Sequence, residues 1–75
     1  MQEIQFNDSL IIIPTFNEVD NIGRLLREVM NVEFPLDVLV VDDASSDGTV
    51  QAVRALIVEF EDRITLIQRP EKLGL

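Results

Sequence analysis

The chain contains no cysteine and no histidine. Without cysteine it can form neither a disulfide nor a thiolate zinc site to reinforce a small core. Without histidine it lacks the side chain that most often serves as general base and metal ligand near neutral pH. Carboxylates are the strong ionisable groups left for a proton or a metal. Cations are scarce too: 6 Lys and Arg stand against 14 Asp and Glu, for a formal net charge of −8 and a pI ≈ 4.1. A chain this acidic is repelled by nucleic acid and by anionic lipid, so neither is expected as a direct partner. No stretch reaches the ~18 apolar residues of a membrane helix. The N-terminus has no basic segment running into a long apolar one, so no signal peptide is expected. A cytoplasmic location is the resulting expectation, extended to the cytoplasmic face of a membrane for a longer parent.

What is present is ordinary globular material. The 47% hydrophobic content is too high for a disordered chain. With 75 residues the chain is at most one small domain. A domain of that size buries only about 60% of its unfolded surface and is marginal alone. Met1 to Asp8 is polar and reads as a leader, with residues 9–75 as the folded unit. The last residues, "RPEKLGL", end on a glycine and a leucine, as expected of a piece cut from a longer protein.

Apolar periodicity divides the folded unit into five elements. "SLIIIP", Ser9 to Pro14, is short, Ile-rich and apolar at successive positions, which predicts a strand buried on both sides and ended by Pro14. The period then changes. Val19, Ile22, Leu25, Leu26, Val29 and Met30 recur at helical spacing, with Asn17 as the expected N-cap and Gly23 as a point of close packing on the sheet. "DVLVVDD", Asp37 to Asp43, is a second doubly buried strand. A second helix follows, with Val50, Val53, Leu56, Ile57 and Phe60 on its buried face and Ser46 or Asp47 as cap. Arg63 to Pro70 is a third strand.

Strand, helix, strand, helix, strand with short connections predicts right-handed crossovers and a three-stranded parallel sheet of order 3-2-1. This is half of a doubly wound, Rossmann-like α/β domain. Ligands of such sheets lie beyond the carboxyl ends of the strands. Three segments meet there: "PTFNE", "DDASSDGT" and "RPEKLGL".

Asp42 and Asp43 stand at this edge, where two neighbouring carboxylates disfavour each other's charge unless donors or a cation compensate. Alternation along a strand turns one toward each face of the sheet. The plainer reading has both hydrogen-bonding the Ser45–Thr49 turn and capping the helix. Classical dinucleotide binding would place an acid at the same point but requires a glycine-rich turn after the first strand, and "PTFNE" has no glycine. A phosphate-binding GxxxxGK[ST] is absent. A receiver domain carries its acidic pair after the first strand rather than the second.

The run "IIIPTFNEVDNI", followed by "VLVVDDASSDGT" and "RPEKLGL", resembles the N-terminal half of the family 2 glycosyltransferases of GT-A type. Among these it is most similar to the dolichol-phosphate (polyprenyl-phosphate) mannose synthases. The resemblance spans about residues 9 to 75. It implies a donor site for a nucleotide-diphosphate sugar, GDP-mannose or a UDP-sugar, and a lipid-phosphate acceptor in the full-length parent. Pro14, Thr15 and Phe16 would line the base and ribose pocket, and Glu18 would accept hydrogen bonds from ribose or base. Asp43 would hydrogen-bond the base and Asp42 would shape the loop, although either assignment of the pair remains open. Lys72 would approach the diphosphate. Asp47, Gly48 and Thr49 would be structural, with Gly48 allowing close backbone approach.

The same resemblance implies Mg²⁺ or Mn²⁺ bound by an Asp-x-Asp motif, and this chain has no Asp-x-Asp. No catalytic residue and no metal ligand is therefore expected here, and the chain alone is expected to be inert. The readings kept beside this one are a transferase of cell-envelope or polysaccharide synthesis and a non-enzymatic α/β binding module. With its neighbour missing, the "LIII" strand would present an apolar edge through which two copies could pair.

Overall fold

A computed structural model of the chain describes residues 5–7, 10–32 and 36–70. The elements are β1 (Gln5–Asn7), β2 (Leu10–Thr15), α1 (Val19–Met30), β3 (Asp37–Asp43), α2 (Thr49–Phe60), a short 3-10 turn (Glu61–Arg63) and β4 (Ile64–Arg69). They build one sheet of order β1-β2-β3-β4. β2, β3 and β4 run parallel in the expected sequence, joined by the two helices.

The register explains the core. Ile11, Val38 and Ile64 lie side by side across the three parallel strands, as do Ile13, Val40 and Leu66. These rows face the helices and pack with Ile22, Leu26 and Met30 of α1 and Val53 and Leu56 of α2. Leu25, Val29, Ile57 and Phe60 pack around them. Both helices lie on this one side and touch each other, joined at the surface by a two-pronged bond from Arg27 to Glu59 at 2.8 and 2.9 Å. Arg63 donates to the Leu36 carbonyl oxygen at 3.0 Å and ties the entry of β3 to that of β4.

Several expectations change. Gln5–Asn7, read as part of a leader, pairs antiparallel with Leu10–Ile12. The first parallel strand is therefore not a bare edge along its first half. The strand does not stop at Pro14 but continues to Thr15. The pairing with β1 has ended by that point, so Pro14 occupies an edge position where a missing N–H is tolerated. The strands are not buried on both sides either: β2 and β3 alternate between buried and partly exposed residues. Ile12, Pro14, Leu39, Val41 and Ile67 line the side away from the helices, and Ile67 is half exposed. Val19, assigned to the buried face of α1, is exposed at the first helical position. Gly23 has open space where a Cβ would stand, so close packing is not its role. No helix among the described residues is long and apolar enough to cross a membrane.

Candidate functional site

At the carboxyl ends of β2 and β3, Thr15 and Asp42 are register partners on the helix-facing side. Both are buried, and the Thr15 hydroxyl donates to Asp42 Oδ1 at 2.7 Å. The same carboxylate accepts the Ser45 hydroxyl at 2.6 Å and, through Oδ2, the Ser45 amide at 2.9 Å. Three donors thus compensate a buried charge whose isolation would be costly. Asp42 is the brace that turns the chain out of β3.

Asp43, one residue on, points to the other face. It is partly exposed, and its nearest cation is Arg69, its register partner on β4, at a long 3.8 Å. A separation of that length across a solvated surface is a weak tether. Among the described residues its carboxylate has no closer partner.

The loops after β2 and β3 are stitched together. Three successive amides of the first loop donate to side chains of the second: Asn17 to Ser45 Oγ at 2.8 Å, Glu18 to Thr49 Oγ1 at 2.8 Å, and Val19 to Asp47 Oδ2 at 3.2 Å. Asn17 Oδ1 accepts the Ser46 amide in return at 2.9 Å. Asp47 also accepts the Thr49 amide at 3.0 Å and the Thr49 hydroxyl. That hydroxyl is the largest influence holding the Asp47 carboxyl below its ordinary pKa. Desolvation works against it, and the Val19 and Thr49 amides add to the lowering.

The sequence expectation for these loops is therefore incomplete. Asn17 does not cap α1. Glu18 occupies the N-cap position without a side-chain cap bond, and the Asn17 side chain crosses to the other loop in a left-handed backbone conformation, φ 52°. Asp47 serves the start of both helices rather than of α2 alone. Gly48 is required by its φ of 99° rather than by close approach, since a Cβ there would meet only Val19 Cγ2, at an ordinary 3.5 Å. Small polar residues clustered before a helix carry the signal for such ties, but not the identity of their partners.

Of the residues singled out from sequence, Pro14, Thr15, Phe16, Glu18, Asp42 and Asp43 come to this one edge. Thr15 and Asp42 are engaged with each other. Phe16 is half exposed, and Pro14, Glu18 and Asp43 are partly so. Lys72 lies outside the described residues. A neighbouring depression of about 480 Å³ lies on the helix side, lined by Ser45, Ser46, Gly48, Arg54 and Gln68 among others. Phe16, Glu18 and Asp43 do not line it.

The described carboxylates do not fit a divalent cation, which needs several oxygens converging on one point. Asp42 and Asp47 are engaged by hydroxyl and amide donors, Asp43 faces away from both, and no group of three or more candidate ligands converges among the described residues.

Comparison with known proteins gives this edge a context. Residues 10–75 match the family model described as glycosyl transferase family 2. Over 67 residues the chain is 37% identical to a polyprenol monophosphomannose synthase of Mycolicibacterium smegmatis, covering 89% of this chain and 25% of that protein. Over 55 residues it is 42% identical to a 4,4'-diaponeurosporenoate glycosyltransferase of Staphylococcus aureus, covering 69% of this chain and 15% of that protein. Among solved structures it is similar to a mannosyltransferase from Pyrobaculum calidifontis in complex with GDP-Man and Mn²⁺. That match has a TM-score of 0.76 and 37% identity, over 88% of this chain and 20% of the other. The chain thus spans a quarter or less of the length of these relatives.

Proposed function

The chain belongs to glycosyl transferase family 2, and we propose that it is the donor-nucleotide part of an enzyme transferring a hexose from a nucleotide-diphosphate sugar to a lipid-phosphate acceptor. The observation that carries this reading is the shared edge at the carboxyl ends of β2 and β3, to which the half-exposed Phe16 and the partly exposed Glu18 and Asp43 all come. The relatives support it: one is a polyprenol monophosphomannose synthase and another a mannosyltransferase holding GDP-Man.

In this reading Asp43 selects the base. An ionised carboxylate only accepts hydrogen bonds, so it favours a base edge carrying N–H donors, and its charge strengthens the bond. Glu18 accepts from ribose or base. Pro14 and Phe16 give the base an apolar wall. Thr15 and Asp42 hold the loop, and Lys72 approaches the diphosphate. Mg²⁺ or Mn²⁺ would screen the diphosphate charge in the parent, held by residues this chain does not contain. The parent would act in the cytoplasm or at the cytoplasmic face of a membrane. The chain alone is inert in sugar transfer. The similarity to a 4,4'-diaponeurosporenoate glycosyltransferase supports a second reading, in which the parent glycosylates an acceptor other than a lipid phosphate.

The test is a titration of ¹⁵N-labelled chain with GDP-mannose, UDP-glucose and UDP-GlcNAc, each with and without Mn²⁺. A weak response confined to residues 14–18 and 42–46 is expected for one of the bases. Sugar transfer by the chain alone, or a response centred on the opposite end of the sheet, would count against the reading. Self-association through the first parallel strand is also proposed, at the part of its edge beyond Ile12 that β1 leaves unpaired. Sedimentation as a monomer at high concentration would dismiss it.

A further inference from the structure

We propose that Asp47 is a positioning residue that locks the loops 15–19 and 42–49 into one unit, so that Phe16 and Glu18 keep a fixed place relative to Asp43. Its functional consequence rests on the nucleotide reading above, whereas the mechanical coupling stands on the geometry alone.

The coupling is directional. The amides of Asn17, Glu18 and Val19 belong to the turn into α1, where no preceding helical turn can accept them. All three are met by side chains of the other loop. Two depend on Asp47. Val19 donates to it directly at 3.2 Å. Glu18 depends on it through Thr49: the Thr49 hydroxyl has one hydrogen, which it gives to Asp47, and this leaves a lone pair aimed at the Glu18 amide. Asp42 orients the Ser45 hydroxyl toward the Asn17 amide by the same logic. Asp47 also touches the first residue of each helix, Val19 of α1 and Thr49 of α2. One negative charge therefore lies at the positive ends of two helix dipoles, favourable to both. The left-handed Asn17 backbone between Phe16 and Glu18 is a conformation that asparagine adopts more readily than most residues, and its amide and side chain are both tied to the second loop.

Amide hydrogen exchange on the full chain tests the coupling. Asp47→Ala should speed exchange about tenfold at Val19 and Thr49, the scale expected for losing a bond to a charged acceptor. The effect should spread to Asn17, Glu18 and Ser46, which Asp47 does not touch. Ile13 and Val40 in the core should stay unchanged. Asp47→Asn keeps one acceptor oxygen and should fall between the two. Asp20→Asn removes an exposed acid from the same turn of α1 and should leave the loops as they are. Acceleration limited to Val19 and Thr49 would reduce Asp47 to a local cap and overturn the proposal. So would equal acceleration at Ile13 and Val40, since that reports global stability. GDP-mannose and the two UDP-sugars added in turn to the unaltered chain separate the two claims: silence to all three counts against the nucleotide reading, while the exchange pattern still decides the coupling.

Discussion

Asp42 and Asp43 are adjacent in sequence and have opposite surroundings. Asp42 lies under the helices, buried, with three donors from Thr15 and Ser45. Asp43 lies on the open side of the sheet with a loosely placed Arg69. The difference follows from strand alternation: consecutive side chains leave a pleated strand on opposite faces. Among the described residues, only one face is roofed by helices. One acid therefore serves the structure and the other stays partly exposed, and it is the second that the nucleotide proposal uses.

Replacing the two in turn should give the widest contrast. Asp42→Ala strands the buried Thr15 hydroxyl and the Ser45 donors, and should cost about 2–4 kcal/mol in denaturant unfolding. Asp43→Ala should change stability by no more than ~0.5 kcal/mol, the range for surface substitutions, while abolishing any response to GDP-mannose. Equal stability losses would erase the distinction between the faces. A smaller effect is expected at Gly48→Ala. Its φ of 99° makes a side chain strained even though the space is free, at a cost of about 1 kcal/mol. A negligible cost would show that the second loop relaxes easily and is not the rigid partner its bonds suggest.

Acid should loosen the loops through Asp47. The Asp47 pKa is lowered in the folded chain, chiefly by the Thr49 hydroxyl. Its contribution is therefore complete above the ordinary carboxylate pKa and is lost as pH falls through the lowered value. Protection at Val19 and Glu18, taken relative to the intrinsic exchange rate at each pH, should fall in that window, and a flat profile would remove the charge from the account. The smallest effect is expected at the helix surface. Arg27 and Glu59 form a close but solvent-exposed pair, and Arg27→Ala should barely move the unfolding midpoint.

Much of the architecture was legible from periodicity. Asp37–Asp43 was delimited as a strand, and the helices at Val19–Met30 and Thr49–Phe60 follow their apolar spacing. Gln5–Asn7 was not legible, because three polar-flanked residues carry no period and pair only where Leu10–Ile12 offers an open edge. The expectation of strands buried on both faces failed because apolar content marks what can be buried, not what is present to bury it. At the site, the type of each loop residue was visible and its partner was not. Asn17 is as good a local N-cap by composition as it is a partner for the Ser46 amide, and only the approach of the second loop decides between them.

Sequence alone determined the alternation of strands and helices, the parallel order, the acidic edge and the family. These depend on local period and on residue types at short spacing, which any stretch of chain carries with it. Tertiary structure alone decided which aspartate is buried, which side of the sheet stays open, and how one loop satisfies the amides of the other. The first two depend on the face of the sheet onto which both helices pack, and the third on atoms some thirty residues apart meeting within hydrogen-bond distance, which the register of β2 on β3 allows.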